Sequence, residues 1–82
     1  MDKNLNLGVA LKILQLLKSK PRQTPQTMTK ALGVSESSVK SALVYLFDLY
    51  HVRKLGHGLY IITESGVRTL EENLKRLGES MQ

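Results

Sequence analysis

The side chains in this chain that could act as nucleophiles, bases or ligands are serines, two histidines and seven acids. Ser35, Ser37, Ser38 and Ser41 crowd together, but no motif sets a histidine beside them, so a hydroxyl–imidazole–carboxylate constellation has no basis. His51 and His57 stand without an acidic companion nearby in sequence. Cysteine is absent, which removes disulfides and thiolate metal sites together. Two histidines alone make a poor metal set. Glu64, Glu71, Glu72 and Glu79 read as a solvated face, and no glycine-rich phosphate loop exists. Catalysis, a metal and a cofactor are therefore not expected. What the serines and Lys40 can do is hydrogen-bond: short hydroxyls and one ammonium at the start of a helix let its backbone approach another surface closely.

Bulk properties limit what can position those groups. The chain has 82 residues, enough for a single domain over 1–82. A domain this small buries only about 60% of its unfolded surface, so a partner chain is the stabilising aid to look for. Residues 1–60 carry nine Lys/Arg against Asp2, Glu36 and Asp48, a balance of +6, whereas 61–82 carry −1. A basic body with a near-neutral tail suits contact with a polyanion over its first two-thirds. The apolar residues from Leu5 to Leu17 are broken by Lys12 and Gln15 and lack a cleavage site, so neither a secretory signal nor a membrane span is expected. The expectation is a cytoplasmic protein, of prokaryotic or viral-encoded type.

Helical spacing over 5–18, capped by Asn4 or Asn6, predicts a first helix whose apolar arc spans about 220°. So wide an arc needs two neighbours, the second being either the last helix or another subunit. Thr24 and Pro25 form a good helix start. The second helix runs to Leu32, offers Met28, Ala31 and Leu32 to the core, and ends at a left-handed Gly33. Ser35 caps a third helix whose inner face is Val39, Ala42, Leu43, Leu46, Phe47, Leu49 and Tyr50. Its outer face is Ser37, Ser38, Lys40, Ser41, Val44, Tyr45 and Asp48. Val52–Leu55 and Leu59–Thr63 then form a β-hairpin around Gly-His-Gly. Thr63 caps a last helix in which Val67, Leu70, Leu74, Leu77 and Met81 follow a coiled-coil spacing, with Gly78 ending or fraying it.

This order, helix-helix-helix-hairpin-helix and mainly α, resembles a winged helix-turn-helix domain over nearly the whole chain. The resemblance extends to small MarR-, ArsR- and PadR-like transcription regulators. Met28, Leu32, Gly33, Val34, Val39 and Ala42 match the apolar and glycine places of the corner, while Thr29 stands where alanine is common. "YIITESG" resembles the family's strand-to-helix junction, with Gly66 as its glycine. Two departures stand out. Tyr50 occupies a place where many relatives have glycine, and the wing is only "LGHG", without the arginines and aspartate of longer wings.

The resemblance implies double-stranded DNA as partner, with the third helix entering the major groove. Ser37, Ser38 and Ser41 would then face base edges or phosphates, and Lys40 guanine or backbone. Val44 would touch a thymine methyl, and Tyr45 a phosphate. Thr24 and Gln26 would present a helix start to phosphate, while Arg53, Lys54 and His57 form the wing contacts. A homodimer is expected through Leu5, Val9, Ile13, Leu16, Leu70, Leu74 and Leu77, with the helix over 64–78 in the interface. Its recognition helices would lie roughly 34 Å apart on an imperfect palindrome. The alternatives that stay open are a protein-interaction winged helix and a non-specific architectural DNA-binding protein. One helix after the hairpin offers little wall for a small-molecule effector, which also remains an open alternative.

Overall fold

The computed structural model describes residues 7–80, with side chains to residue 76. Its elements run α1 (Leu7–Ser19), α2 (Pro25–Leu32), α3 (Glu36–Asp48), β1 (Val52–Lys54), β2 (Tyr60–Ile62) and α4 (Glu64–Ser80). The expected caps at Asn4 and Asn6, and Leu5, lie outside the described residues, as does Met81. The last helix passes through Gly78 to Ser80 and does not stop there as expected.

α1 is the hub. Val9, Ala10, Ile13, Leu14 and Leu17 are buried, and the helix packs against α2, α3, α4 and β2 at once. That packing accounts for the wide apolar arc: its second face is covered within the chain. Val9, Ile13 and Leu70 lie in the core of the single subunit, out of reach of a second one, so the expectation that they form a dimer interface is corrected. The other core side chains are Met28 from α2, Val39, Ala42, Leu43 and Leu46 from α3, and Val52 from β1. Ala31 is exposed on α2, against expectation, while Leu32 packs on the core edge.

The corner between α2 and α3 is fixed by local chemistry. The Thr24 hydroxyl accepts from the Thr27 N–H at 3.2 Å, and the Thr24 N–H donates back to the Thr27 hydroxyl at 2.9 Å. This reciprocal cap satisfies two otherwise orphaned donors. Gly33 closes α2 with φ 65° and donates to the Thr29 carbonyl at 2.9 Å. Two residues later the Ser35 hydroxyl accepts from the Ser38 N–H at 3.2 Å and opens α3.

At its far end α3 unwinds through Tyr50, which takes φ 61°, while the His51 N–H reaches back to the Leu46 carbonyl at 2.9 Å. This is a Schellman-type stop with a bulky residue at the place that favours glycine. A non-glycine residue there costs about 1–2 kcal/mol, and glycine's greater freedom in the unfolded chain returns part of it. Tyr50 is 80% exposed, so removing its ring sacrifices little packing. Tyr50→Gly is therefore expected to raise stability by about 0.5–1 kcal/mol, read as a higher urea midpoint at unchanged slope.

The hairpin pairs Val52 with Ile62, Arg53 with Ile61 and Lys54 with Tyr60. Its tip is tight because His57 and Gly58 both sit at positive φ, 62° and 73°, as a primed turn requires. One rung was not expected from sequence. Tyr60 also pairs with Gln23 through bonds of 2.8 and 3.2 Å, tying the hairpin to the start of α2. Thr63 then joins hairpin to α4: its hydroxyl donates to the Tyr50 carbonyl at 2.6 Å and accepts from the Gly66 N–H at 3.1 Å. Nearby, His51 bridges to α4, with Nδ1 2.9 Å from the Ser65 hydroxyl and Nε2 3.3 Å from that of Thr69. No helix among the described residues is long and apolar enough to cross a membrane.

Candidate nucleic-acid interface

α3, the hairpin and the start of α2 enclose an open groove of about 540 Å3. Lys40, Leu43, Val44 and Phe47 form its helical wall, with Pro25, Lys54 and Tyr60 opposite. A second concavity, about 290 Å3, continues from it between Thr24, Gln26 and the His57–Gly58 turn. Pro25, Lys54 and Tyr60 line both. Thus Thr24, Gln26, Lys40, Val44, Lys54 and His57, scattered through the sequence, face one continuous hollow. The Gln23–Tyr60 rung explains why: it holds the wing against the N-terminus of α2.

Strand parity decides which wing cation looks into the hollow. Side chains alternate across a strand, and Val52, paired with Ile62, is turned to the core. Lys54 and Tyr60 share that side and complete the groove, whereas Arg53 and Ile61 stand on the other side of the hairpin. Of the three expected wing contacts, Lys54 and His57 border the hollow and Arg53 stands across the hairpin from it.

Electrostatics along α3 is mixed. Lys40 Nζ lies 3.2 Å from Glu36 one turn earlier, both side chains well exposed, a surface pair worth only about 0.3–0.5 kcal/mol. It holds the ammonium over the helix without neutralising it firmly. Ser37 is exposed and Ser41 half-buried. Ser38 is occupied in the cap, its hydroxyl accepting from that of Ser35 at 2.9 Å. These serines flank the groove and do not line it. Among the described residues no group of three or more histidines or acids gathers as a metal site would need.

Tyr45 is the clear correction. It was placed on the outer face with the contacts to phosphate, but its side chain packs on the core. There it borders a separate cleft of about 130 Å3 shared with Leu7, Leu11, His51, Thr69 and Asn73. The reason is rotation: Tyr45 sits 100° beyond Val44 on the helix, enough to turn it toward α1 and α4. Phe47 errs in the opposite sense. Counted with the inner face, it is 52% exposed at the groove. Leu49 and Tyr50, also counted inside, are exposed as well. Pro25, Phe47 and Tyr60 were missed as lining residues. The parity of Tyr60 with Lys54, and the place of Phe47 one turn beyond Val44, were the sequence signals that could have found two of them.

Three helices, a hairpin and a closing helix, with α2 and α3 joined through a left-handed glycine corner, define a winged helix-turn-helix domain. Solved structures agree. IdeR of T. acidophilum superposes with a TM-score of 0.63 at 27% identity, over 85% of this chain and 32% of that one. A single-site mutant of Lactococcus lactis ZitR gives 0.73 at 21% identity, over 99% and 58%. Rv1404 of Mycobacterium tuberculosis gives 0.70 at 22% identity, over 99% and 63%. This chain spans about a third to two-thirds of the length of these three, and the likeness establishes the fold. No protein-family model and no curated protein matches the chain.

Proposed function

We propose that this protein is a sequence-specific double-stranded DNA-binding transcription regulator that acts as a dimer, seating α3 in the major groove with the short wing beside it. The observation that carries this reading is the hollow flanked by Lys40 on α3 and Lys54 on the wing, with the start of α2 at its end. Two ammonium groups on facing walls are the charges a phosphate backbone needs. Thr24 and Gln26, at the start of α2, border the same space. The dimer reading is supported by the apolar side chains left bare on α1 and α4, Leu7 and Leu74, 59% and 41% exposed. Leu16 lies half-buried beside the core, and Leu5 and Leu77 belong to the same expected interface.

Selection from random duplexes, followed by competition at about 0.15 M salt, tests this function. A selected duplex is expected to bind at least about a thousandfold more tightly than random DNA. The free protein should have about twice the 9.2 kDa mass of one chain. A second reading is favoured by the apolar character of the groove: a protein-interaction module would use Val44, Phe47 and Tyr60 as its contact surface. In that case duplex DNA would bind no better than heparin. Equal affinity for random and selected duplexes would mark an architectural protein instead.

A further inference from the structure

Resting on that DNA-reading assignment, we propose that Val44 and Phe47 set the sequence specificity by reading the 5-methyl groups of thymine, with Lys40 fixing the register beside them.

The exposed stripe of α3 carries Lys40, Val44 and Phe47 within about 60° of one another around the helix. Val44 is 62% and Phe47 52% exposed. α3 reads ESSVKSALVYLFD and contains no arginine, asparagine or glutamine. The bidentate side-chain pairings that identify purines are thus unavailable, and Lys40 is left to hold the backbone. Its serines discriminate weakly, because a hydroxyl both donates and accepts. The C-terminal half of the stripe offers only apolar surface followed by Asp48. In the major groove the one apolar group on a base edge is the thymine C5-methyl. An apolar stripe of this size facing cytosine or a purine would desolvate polar edges without pairing them, which is costly. Facing thymine, it buries a methyl. The match between surface and base is therefore chemical, and it excludes as well as attracts.

Spacing gives the pattern. Lys40 to Val44 is about 6 Å along the helix axis, and Val44 to Phe47 about 4.5 Å. One base step rises about 3.4 Å. Each half-site should therefore hold two thymines one or two steps apart, with the phosphate that Lys40 holds about two steps before the first.

The test replaces thymines one at a time by deoxyuridine in the duplex selected from an unmethylated pool, so that thymine is the only source of the methyl. Binding of the wild-type protein is followed by fluorescence anisotropy. Deoxyuridine at the two predicted positions should weaken binding about fourfold each, the effect of one buried methyl. Thymines elsewhere should tolerate the change. Val44→Ala should erase the difference between thymine and deoxyuridine at the nearer position, and Phe47→Ala at the farther one. If the wild-type protein discriminates the selected duplex yet accepts deoxyuridine everywhere, the methyl-reading assignment is wrong and the DNA-binding function stands. If no duplex is preferred over random DNA, both fall. The deoxyuridine scan needs no variant protein, so folding defects cannot obscure the outcome.

Discussion

Replacing Gly66 with alanine is expected to destabilise this domain by about 2–4 kcal/mol, a large part of the total available to so short a chain. A Cβ built at Gly66 would overlap the His51 carbonyl oxygen and approach Ile62 Cγ1 to 2.8 Å. Cγ1 is bonded directly to the Ile62 Cβ and gives way little, and the carbonyl, being backbone, gives way less. It accepts the Thr63 N–H at 3.0 Å, next to the Thr63 hydroxyl that caps α4 and holds the Tyr50 carbonyl. Moving His51 aside therefore loosens the α3 stop, the hairpin base and the α4 cap together. Overpacking costs about 1–3 kcal/mol, and each of the bonds stretched adds about 1. Alanine's better helix propensity returns only about 1. Gly56→Ala is the control, since nothing lies within 4 Å of its Cβ position and its φ is not left-handed. Urea unfolding followed by far-ultraviolet circular dichroism checks both. Equal midpoints for Gly66→Ala and wild type would mean that α4 does not approach the hairpin base this closely.

The glycine at 66 was recognisable in "ITESG", but its reason was not, because the atom it makes room for belongs to a residue fifteen positions earlier. That division runs through the molecule. Features set by neighbours in sequence were legible: the Thr24–Pro25 start, Gly33 at φ 65°, the Ser35 cap and the hairpin around His57. Each is a local hydrogen bond or a backbone angle that few residue types supply. Features set by tertiary neighbours were not. The broad apolar face of α1 announced two partners without saying that α3 and α4 of the same chain would serve. Helical angle put Tyr45 and Phe47 near the boundary between faces, and only the position of α1 decides which of the two is covered. The Gln23 rung needs no strand propensity, being one residue long, yet it brings the wing to α2 and so assembles the hollow. Arg53 and Lys54 looked equivalent as neighbours; strand alternation separates them.

That separation gives the binding prediction with the largest effect. Changing Lys40 and Lys54 together to alanine should weaken binding to the selected duplex about thirtyfold at 0.15 M salt, because each phosphate contact contributes about 0.9 to the salt slope. The slope itself should fall by about 1.8. Arg53→Ala removes the same charge from the opposite side of the hairpin and should change both quantities little. Net charge drops by one in that control and by two in the double variant, so general attraction alone would give Arg53→Ala about half the logarithmic loss. Lys40 carries a further signature through its pairing with Glu36 at 3.2 Å. Glu36→Ala frees the ammonium and removes a carboxylate that repels phosphate, so binding should tighten several-fold, and more at low salt than at high. Anisotropy titrations from about 0.05 to 0.2 M salt read the wild type, these three variants and the single Lys54→Ala. An Arg53→Ala loss equal to that of Lys54→Ala would mean that the duplex lies across both sides of the wing. Lys54 would then not be the side chain by which the wing singles out the backbone.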